Sequence, residues 1–161
     1  MKTHRGHSQN SVPTPQNTDN CTRLEKLIEK QTEQINNLLS LLTLFHTQHT
    51  SGKAHGGTGI IIKSSIKHYE LPSFQKNYLQ ATSVAIEDRH GTITTSAVYC
   101  PPRHSIAKEN FDSLFDALGN RFFGGGDYNA KHTQWGSRLV TSRGKNLLHS
   151  ITTNNLNYLN T

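Results

Sequence analysis

Gly124-Gly125-Gly126-Asp127-Tyr128-Asn129-Ala130-Lys131-His132, with Trp135-Gly136-Ser137 just beyond, is the stretch on which the reading of this chain turns. It follows a short apolar strand, Arg121 to Gly124, and places an acid and an amide two residues apart. In extended chain, positions i and i+2 point to the same side, so the Asp127 carboxylate and the Asn129 amide are expected to line one pocket. The glycines before them have no Cβ, which lets the backbone bend and a bulky anionic ligand come close. A site that cleaves a phosphate ester can be built this way. The same spacing also suits an Asx-type turn that closes a strand, with Asn129 merely capping the loop.

Working outward, Phe111, Leu114, Phe115 and Leu118 recur at helical spacing and predict a helix with one apolar face, closed by Gly119. Thr58 to Lys63 reads as a buried strand. Tyr78 to Ile86 and Thr92 to Tyr99 are β-branched runs on either side of Glu87-Asp88-Arg89-His90-Gly91, which predicts a hairpin. After the loop, Ser142 is expected to cap a helix that buries Leu147, Leu148 and Ile151, and Leu156 to Leu159 is expected to begin another strand. The alternation of strand and helix implies a layered α/β sandwich over residues 58–161.

The N-terminal third differs in composition. Residues 1–19 are rich in Ser, Thr, Asn, Gln and Pro, and burial offers nothing to offset the entropy of ordering them, so a disordered polar tail is expected. From Asn20 the pattern changes: Leu24, Ile28, Ile35, Leu38, Leu42 and Phe45 recur at alternating steps of three and four, with Gln31 interrupting the seam. That spacing predicts a coiled-coil-like helix over 20–48 and self-association through its stripe, or else an amphipathic helix packed on its own domain. Residues 49–57 read as a linker. Ser51-Gly52-Lys53-Ala54 within it is no phosphate loop, because the upstream glycine and the hydroxyl after the lysine are both missing.

Charge points to a class of partner. The 161 residues carry a net charge of +6, and 12 of the 17 basic residues lie at 51–161, against 7 of the 11 acidic ones. An excess of this sign favours a polyanion, because each phosphate neutralised releases counterions. Cys21 and Cys100 are far apart and belong to no Cys-x-x-Cys pair, as expected of a reduced intracellular chain, nuclear or cytoplasmic. No apolar run reaches the length of a membrane span, and none near Met1 looks like the core of a signal peptide.

The Gly-Gly-Asp-Tyr-Asn-Ala-Lys-His stretch with Trp-Gly-Ser resembles the Gly-Asp-Phe-Asn-Ala-x-His motif of the endonuclease/exonuclease/phosphatase superfamily, especially the endonuclease domain of jockey-type non-LTR retrotransposons. Gly56 to Lys63, Ala97-Val98-Tyr99-Cys100-Pro101-Pro102 and Arg143-Gly144-Lys145-Asn146-Leu147-Leu148 agree in order and spacing, so the resemblance covers about residues 53–161. It implies a two-layered β-sandwich flanked by helices, here partial, and an ancestral magnesium-dependent nicking of DNA. By resemblance Asp127 would position the attacking water, Asn129 would hold that water or the phosphate, and Tyr99 would donate to the phosphate. Lys131, His132, Arg138, Arg143 and Lys145 would contact phosphate or the DNA backbone. The family's opening Asn, its metal-binding Glu and its final Ser-Asp-His segment have no counterpart here, so the metal ligands are unassigned. An internal, truncated piece of the domain with weak or no activity is the expectation.

Overall fold

The computed structural model describes residues 15–48 and 56–159, with side chains over 19–47 and 56–159. The chain divides after Leu41 into two compact units. The first is α1, Pro15–Ser40, a single helix of 26 residues. The expected disordered tail therefore gives way to helix at Pro15, while residues 1–14 lie outside the described part. The helix also stops earlier than its periodicity predicts. Ser40 Oγ donates to the Asn37 carbonyl at 2.7 Å and the Leu41 amide donates to Leu38, closing the last turn.

Leu42 and Phe45 are accordingly not part of a helical seam. They lie in β1, Leu42–Gln48, which pairs antiparallel with β2, Gly57–Lys63. Leu44 faces Ile61 and Phe45 faces Ile60 across this pair. A β-branched partner strand offers seven residues a continuous ladder, and tertiary pairing of this kind overrides a helical repeat. Of the expected linker, 49–55 is outside the described residues and Gly57 already belongs to β2.

The second sheet is larger. β3, His68–Glu70, and β4, Phe74–Lys76, both pair with β5, Leu79–Asp88, which forms a long antiparallel hairpin with β6, Gly91–Tyr99. β7, Phe122–Asp127, then adds parallel to β6. Between them runs α2, Lys108–Leu118, as a parallel crossover requires. Arg121 anchors the entry to β7 by gripping Asp88 at the hairpin end through two bonds of 3.2 and 2.8 Å. That grip holds the Asp88 carboxyl below its usual range.

The hairpin is buried on both faces, and alternation sorts its residues. Leu79, Ala81, Val98 and Cys100 look toward the helices, where Ile106, Phe111, Leu114, Phe115 and Leu118 of the α2 region and Leu147 complete the core. On the other face Thr82 meets the small sheet, where the hydroxyls of Thr47, Thr58 and Thr82 bond one another at 2.7 to 3.1 Å. Buried hydroxyls satisfied in this way join two sheets without leaving a polar group unpaired. α3, Ser142–Thr153, packs beside α2 and is capped by Thr141, one residue before the expected Ser142. Asp112 of α2 accepts from Ser150 at 2.5 Å and from Asn154 at 2.8 Å, which joins the two helices. Residues 156–159 form no strand, contrary to the sequence reading. The architecture is the mixed α/β sandwich with flanking helices that the order of elements implied.

Candidate active site

Parallel pairing of β6 with β7 sets Tyr99 directly beside Asp127 at the carboxyl ends of both strands. The two side chains leave the same face of the sheet, because paired residues in register share a face. Gly126 makes this close pairing possible. Its φ is +146°, and a Cβ there would lie 1.9 Å from the Val98 carbonyl oxygen. Gly56 serves Tyr99 in the same manner, since a Cβ at that position would come within 2.2 Å of the tyrosine ring.

The Asp127 carboxylate accepts from the Asn129 backbone amide at 2.9 Å through one oxygen and from Asn129 Nδ2 at 2.9 Å through the other. Asn129 Nδ2 also donates to the Cys100 carbonyl at 3.0 Å. The two side chains thus converge, although not along a strand face as the spacing suggested. β7 ends at Asp127, and Asn129 turns back with φ +47°, a left-handed conformation that asparagine tolerates better than most residues. The result is the Asx turn that the sequence left open, and it points the amide at the acid.

The loop beyond is stiffened by its own side chains. Trp135 donates from Nε1 to the Ala130 carbonyl at 2.8 Å and packs against the core cluster. His132 is half-buried, accepts from the Gln134 amide through Nδ1 and lies 5.3 Å from the Trp135 ring. Lys131, Arg138 and Lys145 are exposed. Arg143 is not. It is 8% exposed, and its guanidinium donates to the carbonyls of Cys100, Pro101, Pro102, His104 and Tyr128. Backbone acceptors within the fold occupy the donors that a phosphate would have taken, which corrects its assignment to the DNA-facing cluster.

Sequence reasoning missed Gln80. It lies directly across from Tyr99 in the hairpin and is 1% exposed. Its Oε1 is the one buried side-chain polar atom among the described residues without a hydrogen-bond partner. A buried acceptor left unsatisfied costs about 1–3 kcal/mol, so its place beside Tyr99 marks a spot where a donor is due. A glutamine in a β-branched run carries no signal of this in the sequence.

Several known proteins resemble this chain. Residues 93–161 match the family described as endonuclease-reverse transcriptase. Those residues contain Tyr99, Asp127, Asn129 and the Arg143-Gly144 pair.

Over this segment the chain is endonuclease-like.

The chain is 43% identical over 108 residues to the RNA-directed DNA polymerase from mobile element jockey of Drosophila melanogaster, and 42% identical over 101 residues to that of Drosophila funebris. These matches take up 67% and 63% of this chain but only 12% and 11% of those relatives. In fold the chain is similar to the endonuclease domain of TRAS1, a telomere-specific non-LTR retrotransposon, with a TM-score of 0.62 and 24% identity, covering 74% of this chain and 55% of that one. The chain therefore carries a retrotransposon endonuclease-like domain with the fold of that neighbour. No helix among the described residues is long and apolar enough to cross a membrane.

Proposed function

We propose that this domain hydrolyses phosphodiester bonds of DNA, nicking one strand, with Asp127 as the group that orients and deprotonates the attacking water. The observation that carries this reading is the convergence of Asp127 and Asn129 at the carboxyl end of β7, beside Tyr99 at the end of β6. Both oxygens of Asp127 accept from Asn129, yet a carboxylate has about four lone-pair sites, so each oxygen retains capacity for water. Both Nδ2 hydrogens of Asn129 are committed, one to Cys100 and one to Asp127. Its task is then to fix the acid's orientation rather than to donate to phosphate. Tyr99 supplies a phenol donor, and Lys131, His132, Arg138 and Lys145 hold the DNA backbone.

Magnesium, which the family resemblance implies, would neutralise the non-bridging oxygens and acidify the water when bound. The described residues do not fit it. They contain no group of three or more His, Cys, Asp or Glu able to hold a metal ion. Asp127 has an amide, not a second acid, as its bonded neighbour. With this donor set the expected rate falls roughly 10³-fold below that of a complete constellation.

The test is conversion of supercoiled plasmid to nicked circles, with magnesium present and protein in excess. Nicking by the native chain and its loss in Asp127→Ala are the expected outcome. Equal nicking by the variant, or plasmid that stays supercoiled through a prolonged incubation with the native chain, would retire the reading.

A second reading attaches to α1. Leu24, Leu27, Ile28, Ile35, Leu38 and Leu39 are each more than half exposed, so a stripe at coiled-coil spacing is open along this helix. We propose that it pairs with the same helix of a second copy, through Leu24, Ile28, Ile35 and Leu38 and without Leu42 or Phe45. Sedimentation should show an oligomer that grows with concentration and is lost in Ile35→Asp. A monomer at every concentration would end this second reading.

A further inference from the structure

We propose that the turn entering α3, Thr141 to Asn146, is a positioning clamp for the site, with Arg143 as its central residue. This rests on the hydrolase reading above. Burying a guanidinium is costly unless every donor finds an acceptor. Arg143 makes no ion pair among the described residues; its charge is met by backbone dipoles instead. Nη1 donates to Cys100 at 3.2 Å and to Tyr128 at 3.3 Å, while Nη2 donates to Pro101 at 2.8 Å, Pro102 at 3.3 Å and His104.

These acceptors belong to the two segments that immediately follow the site residues. Cys100 to His104 follows Tyr99, and Tyr128 follows Asp127. The Cys100 carbonyl is shared, since Asn129 Nδ2 donates to it as well. One guanidinium therefore sets the spacing between the strand end that presents the phenol and the loop that presents the acid and amide. Two consecutive prolines cannot satisfy such a loop from within, because they bring carbonyls and no N–H.

The rest of the turn grips the loop after Asp127 as well, at Lys131. Thr141 donates its amide to the Lys131 carbonyl at 2.9 Å, and its hydroxyl accepts from the Lys131 amide at 3.2 Å and from the Gly144 amide at 3.1 Å. Gly144 presses so closely that a Cβ would lie 2.0 Å from the Lys131 carbonyl oxygen. Asn146 Nδ2 holds the Ile106 carbonyl at 2.9 Å. Lysine could not take the place of Arg143, because three donors radiating from one ammonium cannot reach carbonyls spread along a planar fork.

Hydrogen exchange on the full chain tests the clamp without requiring activity. In Arg143→Lys, the amides of Cys100, 103–106 and 127–132 should exchange about tenfold faster, while those of the β5–β6 hairpin keep their native protection. If the native chain nicks plasmid, the variant should lose about 100-fold in kcat with KM unchanged, as displaced catalytic groups do. Unchanged loop exchange in Arg143→Lys would overturn the proposal, and so would faster exchange throughout the hairpin. Should that variant not fold, Thr141→Ala removes only the hydroxyl contacts and should loosen 128–132 together with the first turn of α3, which that hydroxyl caps; native protection at 128–132 would equally overturn the proposal. A native chain that never nicks would sink the hydrolase reading, while the exchange pattern still decides the clamp.

Discussion

Asn129 shows why a residue's position in a motif and its conformation carry separate information. The acid–amide spacing announced that Asp127 and Asn129 would meet, but the left-handed φ that brings them together depends on where β7 stops. Asn129→Ala removes both amide contacts and leaves alanine in a conformation it adopts poorly. It should lower stability by about 1–3 kcal/mol in urea titration and reduce nicking at least 100-fold. Cys100 sits one residue beyond Tyr99 and is fully buried, which pushes its thiol up to about 12, whereas Cys21 is exposed. A maleimide should label one thiol per native chain and two in denaturant; rapid labelling of both would contradict the burial. Burial raises the Tyr128 phenol in the same direction. Both groups keep their protons in the folded state longer than in the unfolded chain. Their contribution is therefore complete below the ordinary thiol value of 9.0 and is lost as pH rises from there toward 12. The slope approaches about 1.4 kcal/mol per pH unit for each titrating group. Urea midpoints that rise across this range would refute the sign.

Among elements, the hairpin, α2 and α3 were legible, because β-branched runs around a turn and apolar residues at helical spacing report directly on burial. The end of α1 was not. Leu42 and Phe45 continue the helical repeat, and the strand that takes them is fixed by residues 57–63, which a local window does not see. The same holds for Leu156 to Leu159, which have the composition of a strand and no described neighbour that pairs with them. Two elements can be tested by single changes. Gly126→Ala forces a Cβ into the Val98 carbonyl and should abolish folding or cost more than about 3 kcal/mol. Asp112→Ala should cost about 2 kcal/mol in thermal or urea unfolding, because it strips α2 of its bonds to Ser150 and Asn154 and leaves the fully buried Ser150 hydroxyl without that acceptor. Wild-type stability in that variant would show that the helices are held by their apolar faces alone.

For the whole molecule, the proposed hydrolase reading assigns contact with DNA to the net positive charge and to the exposed Lys131, Arg138 and Lys145. Binding of a DNA duplex should weaken with salt, and changing all three residues to Gln should reduce the slope of log K against log salt by roughly 3. Arg143→Lys, already buried, should leave that slope unaltered; a change as large as that from an exposed lysine would return Arg143 to the DNA-facing surface. Residue order alone determined the family resemblance, the α/β layering and the meeting of Asp127 with Asn129. Those depend on local spacing and on which residue types a chemistry requires. Only tertiary structure decided that Arg143 faces inward, that Gln80 lies across from Tyr99, and that Leu42 to Gln48 is strand. Each of these outcomes follows from partners distant in sequence, and a long-range hydrogen bond or ladder can outweigh what neighbouring residues prefer.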